Sequence, residues 1–572
     1  MLRGRGYSCY LCLLLCLPLL WLVVACSLEE AADVSGDESG AISAEGAEDR
    51  EPAGSREDDQ EAEAAGSGKE DEEAAPVEEE EGGDAASVRE FEEDSCPFEL
   101  FDGDDIRCGY LYVPEDRADP EGREIELAVA IIGSRSEKPK ADPIIYLEGG
   151  PGGSPLFDPD SWLESPLRDE REIILLDQRG TGFSLPSLNC IEMEEDEEDP
   201  LGAAKACRDR LAKSGVNLAA YNSANNAADV NDLRLALGYD EWNVLGISYG
   251  TRLALTVMRD FPEGIRSVVL DSVYPPNIDA YTEQALNNAD AIQAMLQGCA
   301  ANAACNDAYP ELETKFYELI AQLNEKPVEV DQEEIYGDQI VDQLVSSLYD
   351  TSAIPELPFI IHEAYNQNYD PLLDLIAPPE DKSRTRSNDF SRSLGAERLK
   401  HALSGAEGSL LRLERRRFQD GEGDISDSEG MFYSVECHEE MPFGDLDQAE
   451  KLVAKYPTQV TDGLLAGLEQ EYQVCEIWGA GEADQIESEA VRSDIPTLVL
   501  AGEYDPVTPP SWAKSAANTL SNHHYFEIPA GGHALMDAGE CPLGIIVAFI
   551  DNPNAQPDGT CVGNMKPTFV VP

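Results

Sequence analysis

Short apolar runs rich in β-branched residues alternate with helical stretches along the body of the chain. Continuous runs of this length predict strands that are buried on both faces of a parallel sheet. The helical stretches between them include residues 227–237 and 251–260. This alternation predicts a mostly parallel, doubly wound α/β sheet. The predicted strands are Ile144–Leu147, Glu172–Asp177, Trp242–Leu245, Ser267–Asp271, Thr497–Ala501 and Tyr525–Ile528.

The pattern changes in the middle of the chain. From residue 281 to residue 484 it is helical and polar, without a comparable buried strand. We therefore expect a helical cap domain over 281–484, inserted into a sheet domain whose two parts are residues 96–280 and 485–572.

Residues 1–26 have the pattern of an export signal. Arg3 and Arg5 precede the apolar run 11–25, which is short for a membrane span of about 20 residues. The Val-Val-Ala sequence before Cys26 resembles a bacterial lipobox, so we expect a lipid on Cys26 and attachment to the bacterial cell envelope. The absence of Asp after Cys26 favours the outer membrane. An ordinary secretory signal with an incidental cysteine is the alternative.

Acidic residues dominate the chain and cluster behind the signal. Asp+Glu number 114 against 40 Lys+Arg, which gives a formal net charge of −74. Such a surface repels phosphate and excludes nucleic acid as a partner. Residues 27–95 mix acidic residues with Ala, Gly and Ser and have no apolar periodicity, so we expect a disordered tether there, with calcium buffering as an alternative role. The 42 % of hydrophobic residues in the whole chain suffices for a sizeable core in the remainder.

Cysteine usage agrees with export. Of the 14 cysteines, those outside the signal and Cys26 form an even set, which suggests disulfides in an exported chain. Pairing between neighbours along the chain is our hypothesis, because spacing alone leaves the connectivity open. Outside the predicted signal the sequence contains no CxxC pair, and it predicts neither a metal site nor a cofactor. The set is Cys96, Cys108, Cys190, Cys207, Cys299, Cys305, Cys437, Cys475, Cys541 and Cys561.

A G-x-S-x-G motif lies between a predicted strand and a predicted helix. It reads Gly246-Ile247-Ser248-Tyr249-Gly250. Flanking glycines permit a sharp turn that raises the serine hydroxyl above the sheet, and the helix N-terminus points free N–H groups at it. The motif predicts that Ser248 is a nucleophile.

A serine nucleophile needs a base, and the base needs an orienting acid. Among six histidines, His533 lies in a glycine-rich loop directly after a predicted strand, where open α/β sheets hold their sites. Asp505 also follows a strand, and Glu503 is its local rival. The order Ser248, Asp505, His533 is that of α/β-hydrolases, so we predict Asp505 as the acid and His533 as the base.

The oxyanion hole should combine the backbone N–H of Tyr249 with a donor from a loop after an early strand. That loop reads Leu147-Glu148-Gly149-Gly150-Pro151-Gly152-Gly153-Ser154. Its glycines let the backbone approach a developing oxyanion, and the N–H of Gly150 is the predicted second donor. A simple turn rich in Gly and Pro is the alternative interpretation.

These motifs together resemble the α/β-hydrolase exopeptidases, and the chain is most similar to the bacterial tripeptidyl aminopeptidases, relatives of proline iminopeptidase. The resemblance spans roughly residues 96–561. It implies an α/β-hydrolase fold with a helical cap over the site, a serine exopeptidase activity, and the roles given above for Ser248, Asp505 and His533. The stretches that carry it are 149–154, 176–182, 246–252, 502–510 and 531–533, with 299–310 and 435–440 outside the general hydrolase motifs.

Two positions depart from the relatives' pattern. Glu148 stands where proline iminopeptidases usually have His, which favours the tripeptidyl branch, and His438 stands where relatives commonly have a small residue. An exopeptidase must also recognise a substrate ammonium group, which buried carboxylates bind through charge-assisted hydrogen bonds. We hypothesise that Glu439 and Glu440 do this, against the alternative that they are ordinary surface or helix-capping carboxylates.

The expected function is that of an exported, lipid-anchored serine aminopeptidase acting on peptides with a free N-terminus. A carboxylic-ester hydrolase would use the same triad, and a non-catalytic lipoprotein that binds peptides or cations is an alternative of another class. The strongly acidic charge should attract ammonium-bearing substrates and raise the pKa of His533. We therefore expect an alkaline activity optimum that relaxes as salt screens the charge.

Overall fold

The computed structural model describes residues 90–101, 103–195, 199–330, 333–376 and 426–572. Within them, nine strands form one sheet in the order β1-β2-β3-β5-β4-β6-β7-β10-β11, and β8 and β9 form a separate hairpin. The strands are β1 Phe91–Asp94, β2 Ile106–Pro114, β3 Glu124–Ile132, β4 Ile144–Leu147, β5 Ile173–Leu176, β6 Trp242–Ile247, β7 Ile265–Asp271, β8 Val328–Val330, β9 Glu333–Ile335, β10 Thr497–Gly502 and β11 His523–Ile528.

The sheet has a parallel part and an antiparallel part. Strands β5, β4, β6, β7, β10 and β11 run parallel, and all six were predicted from their apolar runs. Strands β1, β2 and β3 add an antiparallel edge next to β5. The apolar-run criterion missed these three strands, because β2 and β3 include polar and charged residues.

One predicted boundary is wrong. The sequence placed the end of the disordered tether at residue 95, but Phe91–Asp94 is strand β1, paired antiparallel with Cys108–Leu111 of β2. Phe91 packs against the core, and backbone pairing extends the folded part into the acidic segment. Backbone hydrogen bonds to a neighbouring strand therefore override the disorder-promoting composition at this point.

Helices connect the strands and form the cap. The helix α4 illustrates how sequence sets their ends: the side chain of Asn222 accepts the N–H of Asn225 at its start, and Gly238 takes the left-handed conformation at its end. The helices are α1 Asp160–Glu164, α2 Ile191–Glu195, α3 Pro200–Lys213, α4 Ser223–Leu237, α5 Tyr249–Asp260, α6 Ala280–Ala301, α7 Ala303–Ala308, α8 Leu312–Glu325, α9 Gly337–Tyr349, α10 Leu357–Tyr365, α11 Asp370–Ile376, α12 Glu429–Glu439, α13 Leu446–Val453, α14 Thr458–Trp478, α15 Pro510–Ala517 and α16 Glu540–Asp551.

The inserted region has two kinds of packing. Helices α6 to α11 supply most of a second hydrophobic cluster, which includes Phe316 and Leu344 and also Val460 of α14 and Tyr504 from the loop after β10. Helices α12 and α14 instead contribute Met431, Val435 and Trp478 to the same cluster as the sheet. Helices α12 and α14 therefore pack directly against the sheet domain. The limits of the inserted region, residues 281 and 484, stay predictions.

Five disulfides link described residues, and each joins neighbouring cysteines along the chain as hypothesised. They are Cys96–Cys108, Cys190–Cys207, Cys299–Cys305, Cys437–Cys475 and Cys541–Cys561. The predicted signal peptide, Cys26 and the tether up to residue 89 lie outside the described residues. In the described ranges, no helix combines the length and apolar character that a membrane crossing needs.

Candidate active site

Ser248 occupies a sharp turn between β6 and α5. Its backbone has φ 55° and ψ −125°, a conformation that non-glycine residues rarely adopt and that clusters at functional sites. The two flanking glycines make the turn possible. A Cβ on Gly246 would lie 2.3 Å from the carbonyl oxygen of Gly250, and one on Gly250 would lie 2.0 Å from that of Leu147. The sequence motif therefore forms the predicted nucleophile elbow.

Asp505 and His533 are in direct contact. Nδ1 of His533 lies 2.9 Å from Oδ2 of Asp505, and both side chains are buried. The other carboxylate oxygen, Oδ1, accepts the N–H groups of Val507 and Thr508, each at 2.9 Å. Asp505 is thereby held in one orientation, as an acid that orients a histidine requires. Its rival Glu503 instead accepts the N–H of Ala530.

Thr508 completes the contact between these two residues. Its hydroxyl donates to Oδ2 of Asp505 at 2.7 Å and lies 3.2 Å from Nδ1 of His533. Sequence reasoning did not assign Thr508 a role. The available signal was its position three residues after the predicted acid, where a hydroxyl can reach back to the carboxylate.

The end of α9, in the region predicted to be a cap, contacts the histidine loop. The N–H of His533 donates to the carbonyl of Tyr349 at 2.9 Å, and the N–H of Gly532 donates to the hydroxyl of Thr351 at 2.9 Å. The ring of Tyr349 lies 4.9 Å from that of His533. The end of α9 thus lies directly against the predicted base, a contact between distant segments that sequence reasoning did not predict.

The ionisation of His533 is set by its neighbours. Burial alone would lower the pKa of this imidazole, but the carboxylates of Asp505 and Asp271 raise it above the ordinary 6.5. The direction agrees with the prediction from net charge. The cause is more local than predicted, because the charges that act on the imidazole belong to two adjacent buried carboxylates.

The predicted oxyanion loop passes over the nucleophile. A Cβ on Gly149 would lie 3.0 Å from Cβ of Ser248 and 3.6 Å from its Oγ. The N–H of Gly149 donates to the Glu148 carboxylate at 2.8 Å, so this amide is already occupied and the amide of Gly150 stays the predicted donor. Tyr249 begins α5, and an N–H in the first turn of a helix has no intrahelical acceptor. Both predicted donors remain predictions.

Side chains of the segment after β5 form hydrogen bonds with the predicted oxyanion loop. The side-chain amide of Gln178 donates to the carbonyl of Glu148 at 3.0 Å, and the hydroxyl of Ser154 donates to Asp177 at 2.8 Å. Burial raises the pKa of Asp177 to about 7. Residues 176–182 carry part of the family resemblance, but the sequence alone assigns them no role. Its side chains fix the position of the oxyanion loop.

Glu439 and Glu440 lie at the end of α12 and contact one arginine. Nε of Arg252 lies 2.8 Å from Glu439, and its Nη1 lies 2.5 Å from Glu440. Arg252 belongs to α5, one helical turn after Ser248. A third carboxylate, that of Glu436, accepts the hydroxyl of Tyr274 at 3.1 Å. All of these charged groups are buried.

Arg252, Glu436, Glu439 and Glu440 form a buried acidic cluster, with three carboxyl groups and one cation. Glu436 belongs to it because its charge acts on Arg252 and the charge of Glu440 acts on Glu436. Burial raises the pKa of Glu440 to about 7 and that of Glu436 well above its usual range, although Arg252 opposes both shifts. Glu439 differs from these two, because Ser223 and Arg252 already donate to its oxygens.

In the described part of the chain, no group of three or more His, Cys, Asp or Glu residues has the arrangement of a metal site.

Comparison with known proteins identifies the family of this chain. A family model described as alpha/beta hydrolase fold matches residues 142–539. The chain belongs to the α/β-hydrolase family. This α/β-hydrolase contains all three predicted triad residues within the matched range.

Similar α/β-hydrolases include named peptidases. The chain is 36 % identical to the tripeptidyl aminopeptidase of Streptomyces lividans over 204 residues, 32 % of this chain and 37 % of that protein. It is 24 % identical to the serine protease Hip1 of Mycobacterium tuberculosis over 72 % of this chain and 79 % of that one. The solved proline iminopeptidase of Mycobacterium smegmatis is 14 % identical, with a TM-score of 0.34 and coverage of 78 % and 98 %. The match to the first relative spans little more than a third of its length.

Proposed function

We propose that this protein is an exported, lipid-anchored serine aminopeptidase that releases short peptides or single residues from the N-termini of peptides. The observation that carries the proposal is the 2.9 Å contact between His533 and a fully oriented Asp505, in a fold that also puts Ser248 in a strained elbow. The similarity to a tripeptidyl aminopeptidase and to a serine protease supports peptides as the substrate class.

The proposed chemistry follows from the positions of these groups. Oγ of Ser248 attacks the scissile carbonyl carbon while Nε2 of His533 takes its proton, and Asp505 stabilises the resulting imidazolium. The N–H groups of Tyr249 and Gly150 hold the oxyanion. His533 then gives the proton to the leaving amine, which departs and leaves an acyl group on Ser248. A water molecule, deprotonated by the same histidine, releases the N-terminal peptide.

The buried acidic cluster is the proposed site for the substrate's ammonium group. Glu436, Glu439 and Glu440 share a single arginine, and burial raises the pKa of Glu436 and Glu440, so a bound ammonium group would favour the ionised form of these carboxyls. Oε1 of Glu440 contacts Arg252 and its Oε2 accepts the N–H of Ala280 at 3.3 Å. Glu440 is still the better supported ligand, because hydrogen bonds from Ser223 and Arg252 occupy both oxygens of Glu439 at shorter distances.

Substitution of these carboxylates tests amine recognition. We expect Glu440→Gln to reduce the preference for free-amine over N-acetylated substrate by tenfold or more, because a neutral amide loses the charge-assisted hydrogen bond. Glu439→Gln should reduce it less. Glu313→Gln, which changes a carboxylate on α8, is the control and should leave the preference unchanged. An unchanged preference in both cluster variants would exclude the cluster as the amine site.

Export and lipid anchoring at Cys26 are proposed from the N-terminal sequence. The five disulfides support an oxidising compartment outside the cytosol. We expect labelled palmitate to be incorporated into the wild-type protein and not into Cys26→Ala, and the wild type to fractionate with the outer membrane. Release of the wild-type protein in soluble, unlabelled form would contradict the anchor.

A substrate panel separates the proposal from its alternatives. Aminoacyl, dipeptidyl and tripeptidyl anilides are compared with free and blocked amines, beside p-nitrophenyl esters. Turnover of the free-amine anilides is the expected result. Activity confined to esters would favour a carboxylic-ester hydrolase, and failure of a fluorophosphonate to label Ser248 would favour a non-catalytic binding protein.

A further inference from the structure

Three consecutive amide groups after His533 are bound to the end of strand β7. The N–H of Ala534 donates to the hydroxyl of Ser272 at 2.9 Å, that of Leu535 to Oδ1 of Asp271 at 2.9 Å, and that of Met536 to Oδ2 of Asp271 at 2.7 Å. Both carboxylate oxygens of Asp271 are therefore occupied. The side chain is fully buried and has one defined orientation.

The same strand end also holds the nucleophile turn. The N–H of Ser248 donates to the carbonyl of Asp271 at 3.0 Å. Ser272, the next residue, has φ 59°, a strained value for serine. Asp271 is thus bound to the turn of Ser248 through its main chain and to the loop of His533 through its side chain.

The electrostatics of Asp271 involve His533. Burial raises the pKa of Asp271 to about 6, although its two backbone hydrogen bonds and the charge of His533 oppose the shift. In the other direction, the charge of Asp271 raises the pKa of His533. A buried carboxylate whose charge acts on an imidazole favours the imidazolium form.

We propose that Asp271 is a second acidic positioning residue of the base, which fixes the His533 loop to the nucleophile turn and stabilises the imidazolium together with Asp505. This inference rests on the proposed triad. It adds to that triad a residue that contacts neither substrate nor the imidazole directly and acts through the loop and through its charge.

Other groups around the pair are accounted for. Asp505 from the loop after β10 and Tyr349 from α9 face His533. Asp537 and Tyr146 interact electrostatically with Asp271. Burial raises the pKa of Tyr349, Tyr146 and Asp537. The two tyrosines therefore stay neutral near pH 7, which leaves Asp505 and Asp271 as the carboxylates that act on the imidazole.

The test measures the rate of fluorophosphonate labelling of Ser248 against pH, which reports activation of the serine whatever the natural substrate is. The rate falls at low pH as His533 becomes protonated and stops acting as a base. In Asp271→Asn, the imidazole loses a neighbouring negative charge. We expect the midpoint to move about half to one pH unit lower and the plateau to fall about tenfold. A midpoint that stays at the wild-type pH would overturn the inference.

Controls separate this inference from the triad itself. Asp142→Asn removes a carboxylate that pairs with Arg171 just before β4, and it should leave midpoint and plateau unchanged. Fluorophosphonate labelling of Ser248→Ala would contradict the proposed triad. A wild-type labelling midpoint in Asp271→Asn would contradict the role of Asp271 alone.

Two further variants cover a folding failure of Asp271→Asn. Asp271→Glu keeps the charge but displaces the carboxylate, so we expect a lower plateau, and a wild-type plateau would contradict positioning. In Asp505→Asn, burial is the largest influence on the pKa of His533 and Asp271 is the remaining carboxylate that raises it, so the labelling midpoint should fall below that of the wild type but stay above that of Asp505→Asn/Asp271→Asn. Equal midpoints in these two variants would show that Asp271 does not stabilise the imidazolium.

Discussion

Ser223 donates two hydrogen bonds to Glu439, from its N–H to Oε1 at 2.6 Å and from its hydroxyl to Oε2 at 2.8 Å. Ser223 begins α4 in the sheet domain, and Glu439 ends α12 in the inserted region. Asp and Glu near a helix N-terminus are stabilised by its free N–H groups. These two hydrogen bonds therefore attach the inserted region to α4, which packs against α5.

Arg252 should matter greatly for stability. Replacement by Met leaves Glu436, Glu439 and Glu440 buried without their cation, and breaking a buried pair in this way costs about 3–5 kcal/mol. Urea denaturation of Arg252→Met measures the loss. Lys455→Met, which breaks the exposed pair with Asp290, is the control and should cost less than about 1 kcal/mol. Equal losses of unfolding free energy in Arg252→Met and Lys455→Met would contradict a stabilising role of Arg252 in the buried acidic cluster.

Thr508 should contribute to turnover. Thr508→Val removes the hydroxyl that donates to Asp505, so the carboxylate is held less firmly against His533. We expect kcat to fall about tenfold with KM nearly unchanged, since one hydrogen bond to a charged group is worth roughly 1.5–3 kcal/mol. Thr508→Ser retains the hydroxyl and should keep most of the activity. If Thr508→Ser loses as much as Thr508→Val, the hydroxyl is not responsible.

The Cys437–Cys475 disulfide should stabilise the helix that carries the acidic cluster. It joins α12 to α14 across a sequence separation of 38 residues, for which the chain-entropy relation gives about 4 kcal/mol. Cys299–Cys305, in the same insertion, closes only 6 residues and corresponds to about 2 kcal/mol. Paired Cys→Ser variants should differ in this order in their urea midpoints, and the reverse order would be inconsistent with it.

The pH dependence of activity follows from the raised pKa of His533. The base must be neutral to accept a proton, so kcat/KM is full above this pKa and falls as the pH drops through it. Because Asp505 and Asp271 raise the pKa, the acid limb should have its midpoint above 6.5. Contrary to the salt dependence expected from the net charge alone, added salt should move this midpoint only slightly, since the two carboxylates that act on the imidazole are buried. A midpoint below 6.5 would be evidence against the electrostatic environment described here.

The parallel strands could be predicted because their signals are local: each is a continuous apolar run. Ser248 comes directly after β6, whereas Asp505 and His533 lie a few residues beyond the ends of β10 and β11. Chain order then assigned a predicted role to each of these three residues. The structure brings Asp505 and His533 into contact, because the carboxyl ends of parallel strands lie at the same edge of the sheet.

The remaining features depend on contacts between segments that are distant in sequence. Asp271 reads as the end of an ordinary strand until the loop after His533 folds against it. Glu439 reads as a free carboxylate until Ser223 and Arg252 approach it. The strand β1 lies in an acidic stretch whose composition favours disorder, and only pairing with β2 orders it.

The most direct test of the account is hydrolysis of a tripeptidyl anilide with a free amine by the wild-type protein and by Ser248→Ala. Circular dichroism spectra of the two proteins verify that both are folded. We expect the wild type to release the anilide product and the variant to lose several powers of ten in kcat. Wild-type turnover by folded Ser248→Ala would contradict the proposed nucleophile and, with it, the mechanism.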